Sequence, residues 1–295
     1  MLKKYLIAGG DLRYVTLAEA LAGKNSVYAA GFDKNVIFSK KVTLIKSLAS
    51  LKERVDYIIL PIPATNDGVT VNTPFSGNSI PLGGLTSIIK EGGIVFGGRI
   101  TEEMNALFKS CGIKVEDYSA REEFAVMNAV ATGEGAIQVA MEETASTLSS
   151  QKILIIGMGR IAKTIIRQLS GFGAEVAVAA RKYHDLAWAE IFGCSHIHID
   201  DLGSFLGSFD IIFNTVPAML LDEKMLKTLN KNCLIIDLAS KPGGVDFDTA
   251  GRLGVKTIWL LSLPGKVAPL TSGKIIAQTI ENILNERGAE PVPEE

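Results

Sequence analysis

Gly157, Gly159 and Ala162 stand in G-x-G-x-x-[GA] spacing, directly after the apolar run Ile153 to Ile156 and at the head of Ile161 to Leu169, whose apolar positions recur at helical intervals. A strand, a tight turn and a helix in that order can hold a pyrophosphate. The first glycine permits the turn, the second lets phosphates reach the backbone, and the third small residue lets the helix pack on the strand. Met158, Arg160 and Ile161 complete the turn, where the helix start offers N–H groups and a partial positive charge. The next strand, Glu175 to Ala180, ends without the Asp or Glu that would accept from a ribose 2′-hydroxyl; Ala180 is followed by Arg181 and Lys182 instead. A guanidinium offers several donors to a 2′-phosphate, so the expected cofactor is NADP rather than NAD, against the plainer reading of two solvated loop cations.

Ligands of such a sheet lie beyond the carboxyl ends of its strands. Strands ending near Asn214, Asp237 and Leu261 lead into Asn214-Thr-Val-Pro217, Leu238-Ala-Ser-Lys241 and Ser262 to Pro269, which adds Thr215, Val216, Pro217, Ala239 and Ser240 to the expected cofactor contacts. Hydride transfer needs no nucleophile; the protein must supply positioning, neutralisation of anionic groups and one acid or base at most. Arg13, Arg99, Arg121, Lys241 and Lys266 lie in or beside loops, where cations suit a substrate carrying carboxylates, and Asp11 and Ser240 complete the substrate set. Arg13 and Lys266 are assigned to the chemistry because glycine or proline fixes the backbone around each. Glu134 is the candidate acid or base, ahead of Asp11 and Glu122; for all of these groups the alternative is a cap or a solvated charge. His184, His196 and His198 read as structural, and neither they nor Cys111, Cys194 and Cys233 have metal-ligand spacing.

The elements that must position these residues suggest an α/β chain of two doubly wound open sheets. In the first half, strands are expected at Lys4–Ala8, Val27–Gly31, Tyr57–Leu60, Ile94–Phe96 and Lys114–Glu116, about five in all, with helices at Tyr14–Leu21, Leu44–Ser50, Leu82–Lys90 and Glu102–Lys109. Residues 1–120 form the expected substrate domain and 121–149 a connecting helix, with Ser119 and Glu122 in capping-box spacing. Gly133 and Gly135 inside that helix imply a kink or close packing. Residues 150–271 form the nucleotide domain, 272–287 a helix packing back on the first domain, and 288–295 a disordered tail. The reaction is expected where the two domains face each other.

With 295 residues, 47% hydrophobic and 21% charged, the chain is long enough for two globular cores, and its net charge of -2 gives no reason to expect nucleic acid or an anionic membrane as partner. The apolar run after Lys3-Lys4 breaks at Gly9-Gly10-Asp11, too short for an export signal, and no later segment has the length of a membrane span. Three scattered cysteines suggest buried thiols in a reducing cytoplasm.

Five segments carry a resemblance far more specific than the glycine motif alone. They are Gly9-Gly-Asp-Leu-Arg13, Arg121 to Ile137 (Arg-Glu-Glu-Phe-Ala-Val-Met-Asn-Ala-Val-Ala-Thr-Gly-Glu-Gly-Ala-Ile), Gly157-Met-Gly-Arg-Ile-Ala162, Asp237-Leu-Ala-Ser-Lys-Pro-Gly-Gly244 and Leu263-Pro-Gly-Lys-Val-Ala-Pro269. Together they resemble the family of dipicolinate synthase A subunits over nearly the whole chain, and more distantly the D-2-hydroxyacid dehydrogenases and adenosylhomocysteinases. The resemblance implies oxidation of a dihydrodipicolinate to pyridine-2,6-dicarboxylate with NADP⁺, the flavoprotein-like B subunit of dipicolinate synthase as partner, and work in the mother-cell cytoplasm of a sporulating bacterium. A homodimer is expected from the habits of two-domain dehydrogenases. Two alternatives stand beside it. A D-2-hydroxyacid dehydrogenase wants a catalytic histidine late in the nucleotide domain, where this chain has none; a nucleotide-binding scaffold or redox-sensing subunit would have no need of carboxylate anchors.

Overall fold

The computed structural model describes residues 2–33 and 36–289. The first stretch of chain contains β1 (Lys4–Ala8), α1 (Leu12–Ala22), β2 (Ser26–Ala30), β3 (Val42–Leu44), β4 (Val55–Ile59), β5 (Ile89–Gly97), α2 (Glu102–Ser110) and β6 (Lys114–Asp117). After α3 (Glu122–Glu143) come β7 (Lys152–Ile156), α4 (Arg160–Ser170), β8 (Glu175–Ala180), α5 (Tyr183–Ile191), β9 (Ser195–His198), β10 (Ile211–Asn214), α6 (Glu223–Leu226), β11 (Leu234–Asp237), α7 (Phe247–Leu253), β12 (Lys256–Trp259), α8 (Leu263–Val267) and α9 (Pro269–Ala289). Two compact units result: residues 1–127 with 268–295, and residues 128–267. Helix α3 therefore begins in one unit and continues in the other.

Each unit holds a six-stranded sheet, ordered β3-β2-β1-β4-β5-β6 in the first and β9-β8-β7-β10-β11-β12 in the second. All pairings are parallel. Parallel strands covered on both faces must be apolar on both, which is why Leu6 to Ala8 and Ile153 to Ile156 are unbroken runs of fully buried residues. Along β7, Ile153 and Ile155 pack into one layer while Leu154 and Ile156 pack into the opposite one. In both sheets the strand order reverses beside the first strand, between β1 and β4 and between β7 and β10, and such reversal points open the crevices where ligands of this architecture sit.

The first sheet has one strand more than the sequence suggests. Instead of a helix over Leu44–Ser50, β-branched Val42 and Thr43 pair with Val27 and Tyr28 as an edge strand, and only Leu48–Ser50 coils, as a 3₁₀ turn. The expected helix at Leu82–Lys90 is likewise a 3₁₀ segment, Leu82–Ser87, because Gly83-Gly84 weakens helical propensity, and Ile89 already opens β5. Ser119 does not cap α3. Its hydroxyl instead donates to Asp117 Oδ1 at 2.6 Å and accepts the Arg99 amide at 3.0 Å.

Gly133 and Gly135 do not break α3. A side chain at 133 would overlap Gln168 of α4, and one at 135 would meet Val267 at 3.1 Å and Leu263 at 3.2 Å, so of the two readings close packing holds. Helix α9 belongs to the first unit: Ile276 and Ile280 are buried with Tyr14, Leu17 and Leu21 of α1, and Gly273 lies so close to the Arg13 carbonyl that no Cβ fits. Gly288 and Ala289, expected in a disordered tail, continue this helix, and the rest of that expectation, residues 290–295, lies outside the described residues. Cys194 and Cys233 are buried, but Cys111, at the C-cap of α2, is exposed, which corrects the expectation of three buried thiols. Among the described residues no helix is long and apolar enough to cross a membrane.

Candidate nucleotide and substrate site

The carboxyl end of β7 delivers the glycine turn. Gly157 has φ +99°, and a Cβ there would lie 2.5 Å from Thr215 Oγ1, so both conformation and space require glycine. Thr215 is locked in that position because its hydroxyl and its amide both donate to the Ile156 carbonyl, at 2.8 and 3.0 Å. Gly159, at the N-cap of α4, is different. Its φ of -79° suits any residue and a Cβ would meet nothing within 4 Å, so neither backbone conformation nor packing demands glycine there, only the mild preference of an N-cap. Open space over the start of an eleven-residue helix is what a pyrophosphate approaching the backbone requires. Met158 is buried, Arg160 and Ile161 begin α4, and Ala162 is fully buried against the sheet. The residues present thus fit the dinucleotide that this fold implies.

Beside the turn, β8 ends in buried Ala180, and Arg181 and Lys182 are exposed. The Arg181 carbonyl accepts from His198 Nε2 at 2.9 Å, and the His198 ring stacks on Tyr183 with centroids 5.3 Å apart. His198 Nδ1 lies 3.4 Å from the Asp200 amide and 3.3 Å from its carboxylate.

The two loops across the crevice are tied together by a pair that sequence reasoning did not single out as functional. Asn214 and Asp237, the last residues of β10 and β11, are both fully buried. Asn214 Nδ2 donates to Asp237 Oδ1 at 2.9 Å and to the Val216 carbonyl at 3.0 Å, while its Oδ1 accepts from the Val216 amide. The Asp237 carboxylate also accepts the amides of Ala239 and Gly244, at 2.9 and 2.8 Å. The signal was present in the sequence, since each is a polar residue closing an apolar strand. On the far side the Trp259 indole donates to the Ala239 carbonyl at 2.9 Å. Thr215, Val216 and Ala239 are therefore fixed, with Pro217, Ser240 and Lys241 exposed beyond them. Lys266, in the short helix α8, is exposed with no partner among the described residues.

The first unit gathers its own cluster beyond β1 and β4. Asp11 caps α1 and takes Arg13 in a two-pronged ion pair, Nε to Oδ1 at 2.9 Å and Nη2 to Oδ2 at 2.8 Å, and Nη2 also reaches the Ile62 carbonyl. Burial opposes the Arg13 charge, but the Asp11 hydrogen bond and the neighbouring charges outweigh it and leave the guanidinium pKa raised. Arg13 is only 6% exposed, so it shapes the turn as much as it offers donors. Beneath it the Tyr14 and Tyr118 hydroxyls meet at 2.5 Å, and burial pushes both phenols up, which keeps them neutral. Arg99 is exposed on the next loop, after β5.

Two expected site residues are placed elsewhere. Arg121 is already paired with two carboxylates: Nε binds Glu123 at 2.8 Å, and Nη1 and Nη2 hold the Glu286 carboxylate, which ties α9 to the start of α3. Glu134, the expected acid or base, lines an open groove with Gln168 and Phe172. Those residues lie at the far end of α4 from Gly159, roughly 12 Å away at helical rise.

Comparison with known proteins accords with this geometry. Residues 120–242 match the family model described as "D-isomer specific 2-hydroxyacid dehydrogenase, NAD binding domain", so the second unit carries an NAD(P)-binding dehydrogenase-family domain and the chain takes its place among oxidoreductases of this fold. Residues 4–119 match the model for the N-terminal domain of the dipicolinate synthase A subunit. The A subunit of dipicolinate synthase from Bacillus subtilis (strain 168) is 31% identical over 97% of both chains, and the crystal structure of dipicolinate synthase, A chain, from Bacillus subtilis superposes with a TM-score of 0.88 over 99% of this chain and 98% of that one, at 30% identity. The chain belongs to the family of dipicolinate synthase A subunits. Shikimate dehydrogenase (NADP(+)) of Methanocella arvoryzae is 31% identical over 42% of this chain and 49% of its own length.

Proposed function

We propose that the chain binds NADP⁺ at the carboxyl end of its second sheet and oxidises dihydrodipicolinate to pyridine-2,6-dicarboxylate. The observation that carries this reading is the pair of glycines, one demanded by the fold and the other, Gly159, leaving open space over the backbone at the start of α4. Bound NADP⁺ supplies the hydride acceptor. Gly157, Met158, Gly159, Arg160 and Ile161 present backbone to the pyrophosphate, while Arg181 and Lys182, with no acid at Ala180, receive the 2′-phosphate. Thr215, Val216, Pro217, Ala239 and Ser240 form the wall that orients the cofactor, stiffened from below by Asn214 and Asp237. The ring loses a hydride and a proton and becomes aromatic, so the chain needs no nucleophile; the exposed cations Arg99, Lys241 and Lys266 serve to neutralise carboxylates, while Arg13, paired with Asp11, shapes the turn after β1.

The name of the shikimate relative supports NADP as the nucleotide. The family supports the substrate, and a flavoprotein-like B subunit and the mother cell of a sporulating bacterium complete the proposal. The 2-hydroxyacid dehydrogenase alternative fails on its base, since no histidine follows His198 in the sequence. Calorimetric titration of the purified chain with each nucleotide is the test: NADP⁺ is expected to bind at least ~10-fold more tightly than NAD⁺, and equal affinities would overturn the assignment of the cofactor.

A further inference from the structure

Among the described residues only Arg99 and Ser262 combine a side chain with left-handed backbone. Arg99 has φ +57° and follows Gly97-Gly98 at the carboxyl end of β5. Were a turn all that is needed, glycine would adopt this conformation without strain, and the chain already uses two glycines immediately before it. An arginine is kept there against its backbone preference, and the surroundings are built to hold it.

Asp117, the last residue of β6, accepts the Arg99 amide on Oδ1 at 3.3 Å and the Ile100 amide on Oδ2 at 2.9 Å. Ser119 Oγ accepts the Arg99 amide at 3.0 Å and is itself tied to Asp117 Oδ1 by its hydroxyl and its amide, at 2.6 and 2.8 Å. The loop is pinned from the other side as well, since the Gly98 amide donates to the Pro61 carbonyl and the Gly98 carbonyl accepts from Ala64. Pro61 to Ala64 is the same segment whose Ile62 carbonyl meets Arg13. Two arginines therefore flank one segment at the carboxyl edge of the first sheet. Arg13 is buried and neutralised by Asp11, whereas the Arg99 guanidinium is exposed and has no partner among the described residues. Rigid backbone under a free guanidinium suits recognition of a planar anion, because little freedom is lost when the ligand binds.

We propose that Arg99 is a specificity-determining residue that pairs with one carboxylate of a dicarboxylate ligand, and that Asp117 and Ser119 are its positioning residues. The inference rests on the dicarboxylate reading of the substrate given above. Calorimetric titration of the full chain with pyridine-2,6-dicarboxylate and with pyridine-2-carboxylate, alongside thermal melts, tests it. Arg99→Gly is expected to melt at or above the temperature of the unsubstituted chain, since glycine relieves the left-handed residue. It should nevertheless bind the dicarboxylate about 10- to 100-fold more weakly, with the monocarboxylate changed by less than about 3-fold. Asp117→Asn is expected to weaken the dicarboxylate selectively as well, and Arg99→Lys to restore part of the affinity. Unchanged dicarboxylate binding by Arg99→Gly, or equal losses for both ligands, overturns this inference alone. Failure of the unsubstituted chain to bind the dicarboxylate overturns the substrate reading itself and this inference with it.

Discussion

A carboxylate buried among three N–H donors braces the loops after β10 and β11, which the proposed function sets against the cofactor. Asp237 accepts from Asn214 Nδ2 and from two backbone amides, with no access to water. Asp237→Asn turns one acceptor toward these donors into a donor, and urea unfolding is expected to show a loss of about 2–4 kcal/mol, with weaker NADP⁺ binding because Val216 and Ala239 are no longer fixed. Unchanged stability would show that the pair does not brace the loops. At the opposite wall, Arg181→Ala should weaken NADP⁺ by about 1–3 kcal/mol and leave NAD⁺ nearly untouched, read from the two titrations in parallel. The strand, glycine turn and helix around Gly157 were legible in the sequence because their pattern is local. Asn214 and Asp237 stand out in the sequence only as polar residues closing apolar strands, since their value comes from a pairing between residues 23 apart in the chain. For the same reason Arg121 read as a free cation, although Glu286, 165 residues away in sequence, occupies it.

Within one element pair, the turn between β7 and α4 holds one glycine that packing requires and one that it does not. Gly157→Ala places a methyl against Thr215 in a backbone conformation that disfavours it, and a cost of about 1–3 kcal/mol in chemical denaturation is expected. Gly159→Ala enters open space, so the expected cost is no more than about 1 kcal/mol, that of a poorer N-cap, while NADP⁺ affinity falls by at least ~10-fold. If Gly159→Ala binds the nucleotide normally, the phosphates do not lie where the turn suggests. Long amphipathic or fully apolar elements were readable from periodicity. Two short ones were not: Val42–Leu44 pairs as an edge strand only because β2 lies beside it, and Leu82–Ser87 coils tightly where two glycines deny a full helix.

For the whole molecule, two parallel sheets with the same 3-2-1-4-5-6 order account for the chain's alternating pattern, and that pattern was visible before any coordinates. Surface chemistry was less so. Burial raises the Cys194 thiol and pushes Cys233 up to about 12, leaving Cys111 as the exposed cysteine. The native chain is therefore expected to take up one equivalent of a maleimide quickly at neutral pH, and the other two only on unfolding; rapid uptake of more would mean that the cores open readily.

On the proposed function, this chain passes a hydride from a dihydropyridine dicarboxylate to NADP⁺. Incubating it with NADP⁺ and freshly made product of dihydrodipicolinate synthase, with and without the B subunit, allows the absorbance of reduced nicotinamide and of pyridine-2,6-dicarboxylate to be followed together. Both are predicted to rise in equal amounts, and at a much lower rate for Gly159→Ala. Pyridine product without reduced nucleotide, or no product in either mixture, would contradict the account.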